Sequence, residues 1–130
     1  MAEHTVDFIK VFEAMIKAIE ANDADGVRSG FSENAVIWHN TTQVEQDPEE
    51  IVAVVHGLHA NFTNVVYDIN QVLATTQGAV GQIVLRATAA DGERIAMHAA
   101  MLMTIDDEGR VTRADEYLDS AESVRRKADI

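Results

Sequence analysis

Cysteine is absent from the 130 residues, which removes disulfide frameworks, thiolate metal sites and cysteine nucleophiles from consideration. Basic residues are scarce: ten Lys and Arg stand against 22 Asp and Glu, a formal net charge of -12. Over most of its exterior such a chain repels polyanions and anionic lipid, so neither nucleic acid nor a membrane is expected as a partner. Long apolar runs are missing too. The opening segment, MAEHTVDFIKVFEAMIKAIEAND, threads acids and lysines through its apolar positions, unlike a signal peptide or a membrane span, and a cytoplasmic location is the expectation. There is no Gly-rich phosphate loop, no internal repeat and no low-complexity linker. What remains is 47% hydrophobic and 25% charged, a globular composition too apolar for disorder. One domain over residues 1–130 is expected, burying about two thirds of the surface the unfolded chain exposes.

Phe8, Phe12, Met15, Ile16 and Ile19 recur at helical spacing with Lys10, Glu13, Lys17 and Glu20 between them. That pattern predicts an amphipathic helix of roughly five turns with one buried stripe. NDADG interrupts it, and Val27 with Phe31 predicts a short second helix before the strand AVIWHN. In DPEEIVAVVHGLHANF, Asp47 is a cap, Pro48 suits the first helical position and Glu50 completes a capping box, so a third helix starts there and runs through Gly57. From about Tyr67 the runs YDINQVLATT, AVGQIVLRATAA, ERIAMHAAMLMTID and RVTRADEYLDSA read as strands, separated by turn residues. Three helices followed by a meander of long antiparallel strands predict an α+β fold with the helices gathered on one sheet face. The polar tail ESVRRKADI is expected to fray.

Alternate residues of a strand point to opposite faces. In ERIAMHAAMLMTID the set Ile95, Met97, Ala99, Met101, Met103 and Ile105 is the more apolar and is expected to face the helices. His98 then falls on the outer set with Ala96, Ala100 and Leu102, beside Ile83, Leu85 and Ala87 of the preceding strand. An outer face that apolar is expected to be covered by a second subunit, making a homodimer with His98 at its interface.

The order of elements, with FSENAVIWHN following helix two and DEGRVTRADEYLDSA ending the sheet, resembles the nuclear transport factor 2-like (cystatin-like) superfamily and its SnoaL-like section. Ketosteroid isomerases, limonene-epoxide hydrolases and SnoaL-like polyketide cyclases are its enzyme branches. The resemblance spans nearly the whole chain and implies a cone-shaped, curved antiparallel sheet wrapped around three N-terminal helices, with a pocket inside. Register with the superfamily implies that Ala114, Glu116 and Leu118 turn inward, and that Arg113, Asp115 and Tyr117 turn outward.

Counted from Phe31, His39 falls where the similar ketosteroid isomerases carry their aspartate base, and imidazole suits base catalysis near neutral pH. The alternative is a strand-end histidine that only bonds a neighbour. Glu116 falls where the epoxide hydrolases hold the aspartate that activates water; its alternative is a salt bridge, for example to Arg86. If the first strand carries a bulge, Trp38 and Asn40 point inward instead and match the water-holding tyrosine and asparagine of those hydrolases. Met15 and Met101 stand where the isomerases have oxyanion donors, and thioethers cannot donate. Gln82 and Val84 stand where the hydrolases have an arginine and a second aspartate. Neither named activity carries over unchanged.

What survives is an apolar pocket with an imidazole and a carboxylate. A small hydrophobic or cyclic molecule is the expected ligand, bound by Trp38, Asn40, Met15, Met97, Met101, Met103 and Leu118. His39 is the candidate base and Glu116 the candidate acid or water-activating partner in a cofactor-independent isomerase, cyclase or dehydratase. A non-catalytic binding module, a water-adding hydrolase, or a dimerising domain with a filled interior are the alternatives. His56 and His59 lie one helical turn apart without an evident third ligand, so no metal is expected.

Overall fold

The computed structural model describes residues 5–119; the tail from Ser120 and the N-terminal His4 lie outside them. Helix α1, Phe8–Glu20, starts at Asp7, whose carboxylate accepts from the Lys10 amide. The 13 residues make it shorter than the sequence pattern predicts, because Asp7 caps it and Ala21 ends it. Helix α2, Ala24–Gly30, leads directly into strand β1, Phe31–His39. A two-residue strand β2, Glu45–Gln46, precedes helix α3, Pro48–Asn61. The Asp47/Glu50 capping box is formed at the start of α3, with reciprocal bonds of 2.9 and 3.1 Å. Strands β3, Phe62–Ala74, β4, Gly78–Ala89, β5, Arg94–Ile105, and β6, Val111–Leu118, complete the elements of the described residues.

The sheet order is β2-β1-β6-β5-β4-β3. The sheet is mixed rather than wholly antiparallel, because β1 and β6 pair parallel. This joins an early strand to the last one, a long-range pairing that no local pattern announces. The sheet curves without closing, and its inner face packs on the helices in the α+β fold the sequence predicts.

Phe12 anchors that packing. It is fully buried, and its ring lies against the backbone of Gly81 in β4, where an added Cβ would approach Cζ to 2.3 Å. The missing side chain at Gly81 therefore lets α1 sit close to the sheet. Met15, Ile16, Ile83, Met103 and Val111 continue the core.

The hairpin register corrects one expectation. Leu85 pairs with Met97, Ile83 with Ala99 and Ala87 with Ile95, so Ile83, Leu85 and Ala87 share the inner face with the methionines and not the outer face with His98. Opposite residues in a ladder share a face. The outer set comprises Val80, Gln82, Val84 and Arg86 opposite Leu102, Ala100, His98 and Ala96. It is more polar than the sequence parity implied, and Arg86 is engaged there with Asp68 at 2.6 Å. Among the described residues no helix is long and apolar enough to cross a membrane.

Candidate active site

The parallel register of β1 on β6 aligns Ile37 with Ala114 and His39 with Glu116. On the other side of β6, Ala114 meets Met103, Glu116 meets Met101 and Leu118 meets Ala99. All of these side chains therefore share the inner face, and all but Ala99 line a cavity of about 430 Å³. That is ample for a small organic ligand. Met15 and Ile19 of α1 and Ile51, Val55 and Leu58 of α3 supply the opposite wall, with Met97 and Leu85 further along the sheet. Thr41, Thr42 and Gln46 add polar groups. The cavity is apolar apart from these, His39, Glu116 and Tyr67.

His39 Nε2 lies 3.0 Å from Glu116 Oε1, with the side chains only 19% and 12% exposed. The Glu116 hydrogen bond raises the imidazole pKa above its ordinary value; burial opposes this, and the Coulomb attraction of the same carboxylate adds to it. With the proton on Nε2 shared towards Glu116, the ring tautomer is fixed and Nδ1 becomes the basic nitrogen. A carboxylate that orients an imidazole and steadies its protonated form is a recurring device of proton-transfer sites. Arg86, one of the arginines considered as a partner for Glu116, lies on the outer face and bonds Asp68 there.

Trp38 and Asn40 do not line this cavity. The irregularity in β1 lies between Phe31 and Val36, and beyond it the pairing on β6 sets Ile37 and His39 beside Ala114 and Glu116 on the cavity side, with Trp38 beside Asp115 on the other. Trp38 packs edge-to-face on Tyr117, with centroids 5.3 Å apart at 61°. Asn40 instead extends the β1–β6 ladder. Its side chain donates to the Leu118 carbonyl at 3.2 Å and accepts from the Leu118 amide at 2.9 Å, while its own amide donates to the Glu116 carbonyl at 3.0 Å. The polar end of AVIWHN is thus one base facing inward, one ring packed outside and one clasp holding the strands in register. Gln82 and Val84, which stand where the hydrolases have an arginine and a second aspartate, also lie on the outer face.

Tyr67 was missed by the sequence reading. It faces inward from β3 opposite Leu85. Burial, then the charges of Glu116 and Glu20, push its phenol above the ordinary value, so it stays protonated. The alternation of Tyr67 and Ile69 with Asp68 and Asn70 was the available signal. The two α3 histidines make helix-corner contacts, His59 Nε2 with the Ile19 carbonyl at 2.9 Å and His56 Nδ1 with Asn22 Oδ1 at 3.0 Å. Among the described residues no group of three or more His, Asp or Glu is arranged to hold a metal ion.

Comparison with solved structures gives the same architecture. IdmH of Streptomyces antibioticus, a candidate polyketide cyclase, superposes with a TM-score of 0.83 at 16% identity, covering 92% of this chain and 97% of that one. A protein of ketosteroid isomerase-like fold from Catenulispora acidiphila gives 0.81 at 13% identity, covering 95% of each chain. An LEH-like epoxide hydrolase of M. tuberculosis gives 0.74 at 16% identity, covering 90% and 86%. At such identities the likeness establishes the fold and not the reaction. No curated protein sequence matches the chain. The family model of the SnoaL-like domain matches residues 12–114, and with the sheet and the helices in agreement, the chain belongs to the SnoaL-like family.

Proposed function

We propose that the protein is a cofactor-independent proton-transfer enzyme of the isomerase, cyclase or dehydratase kind, acting on a small hydrophobic molecule held in the cavity. The observation that carries this reading is the His39–Glu116 pair at 3.0 Å inside a largely apolar wall. His39 is the base. A C–H bond next to an electron-withdrawing group breaks, its proton passes to Nδ1, and its electron pair is delocalised into that group. The imidazolium, steadied by Glu116, then returns the proton to the same or a neighbouring atom. The methionine wall adapts to ligand shape and excludes water, which strengthens the pair's electrostatics.

The test is exchange of solvent deuterium into the acidic C–H of 2-tetralone, a cyclic ketone small enough for the cavity, followed by proton NMR. The wild-type protein should accelerate exchange over buffer. His39→Ala should return the rate to background, and Glu116→Gln should lower it by roughly a hundredfold, the lower end of what positioned acid–base groups contribute. Circular dichroism checks that both variants are folded. Wild-type rates in both would dispose of the mechanism.

A further inference from the structure

A smaller chamber of about 40 Å³ adjoins the main cavity, lined by Tyr67, Ile83, Leu85, Met97, Ala99, Glu116 and Leu118. Tyr67, Leu85, Met97, Glu116 and Leu118 line both spaces. Its volume admits one hydroxyl-sized group and no ring. Its polar side chains are two, and they are chemically unlike. Oε1 of Glu116 is engaged by His39, which leaves Oε2 as the second acceptor of that carboxylate. Among the described residues no side chain accepts from the Tyr67 phenol, whereas the Tyr67 backbone amide is fixed to the Glu20 carboxylate at 2.8 Å. A phenol in apolar surroundings normally finds a partner for its O–H.

A group that satisfies both a carboxylate and the O–H of a phenol donates to the first and accepts from the second. A carbonyl or an ether accepts only, and an ammonium donates only; a hydroxyl does both. We infer that the Tyr67–Glu116 chamber is a hydroxyl subsite, so that the ligand is an apolar cyclic molecule carrying an alcohol, which this chamber holds while the main cavity receives the ring. The inference rests on the proposed function in taking Glu116 as part of the working pocket, and it names the class of compound that pocket accepts. The raised phenol pKa fits this role, since a neutral Tyr67 remains a donor across the physiological range.

The test compares binding of 2-tetralol, its methyl ether and tetralin, by titration with NMR detection. The wild-type protein should bind 2-tetralol at least about tenfold more tightly than either analogue, because a site built for a hydroxyl rejects compounds lacking it. Tyr67→Phe should abolish the preference while leaving tetralin affinity unchanged, and Glu116→Gln should reduce it. His39→Ala should keep the preference while losing deuterium exchange, which separates this inference from the proton-transfer reading. Equal binding of all three compounds by the wild-type protein, as expected if the chamber holds only a water molecule, would overturn the inference. So would failure of all three to bind, or a preference that survives Tyr67→Phe.

Discussion

Glu116→Gln keeps the size of the side chain and an acceptor oxygen but removes the charge, so it isolates the ionic part of the contact with His39. The two groups meet at 3.0 Å and are only 19% and 12% exposed, so solvent does not screen the pair as it screens a surface salt bridge. A hydrogen bond to a charged group contributes about 1.5–3 kcal/mol, a neutral one about 0.5–1.5 kcal/mol. The sign with pH follows from the titration. The imidazole pKa is raised in the folded protein, chiefly by the Glu116 hydrogen bond and against the effect of burial. A raised pKa means the folded state binds the proton more tightly. The resulting stabilisation is complete below the unfolded value of about 6.5 and is lost as pH rises through the folded value. A double-mutant cycle of Glu116→Gln with His39→Gln, read by urea unfolding, should give a coupling of about 1.5–3 kcal/mol at about pH 5.5, shrinking towards the neutral-bond range at about pH 9. A coupling that stays flat or grows with pH would refute the titrating-pair account.

Two further outcomes are expected. Gly81→Ala places a Cβ 2.3 Å from Phe12 Cζ, well inside ordinary contact distance. It should cost about 1–3 kcal/mol in urea unfolding, partly relieved by Phe12→Leu in the double variant; simple additivity would mean the ring retreats freely. On the outer sheet face Leu73, Leu102 and Tyr117 are each about half exposed, and we expect this face to pair with a second copy of the chain. Leu102→Asp should then shift sedimentation to the monomer, and a monomeric wild-type protein at micromolar concentration would refute the pairing.

Features set by neighbouring residues were legible in the sequence. Asp47, Pro48 and Glu50 announce α3 because a capping box is complete within four positions, and the stripe from Phe8 to Ile19 fixes which side of α1 is buried. The inward set of β5 could be read because its two faces differ in polarity. The set on β4 could not. Alternation says that Gln82 and Ile83 face opposite ways, but which of them faces the helices depends on the β4–β5 register, and both sets contain apolar residues. Trp38 was illegible for a related reason: which of Trp38 and His39 faces the helices is set by how β1 pairs with β6 beyond the irregularity between Phe31 and Val36, and that pairing partner lies far along the chain.

The same non-local pairing creates the site. His39 and Glu116 touch only because β1 and β6 lie parallel in one register, and a slip of a single residue would bring Asp115 or Tyr117 beside the imidazole and turn Glu116 out of the cavity. Asn40 opposes such a slip. It bonds both the amide and the carbonyl of Leu118, 78 positions away in the chain, and only one alignment satisfies both. The residue that looked like a ligand contact is therefore better understood as what holds the acid and the base in line. Its hydrogen bonds to the backbone do for the strand end what a further rung of ladder would do, at the point where β1 leaves the sheet and the cavity needs its two ionisable groups kept together.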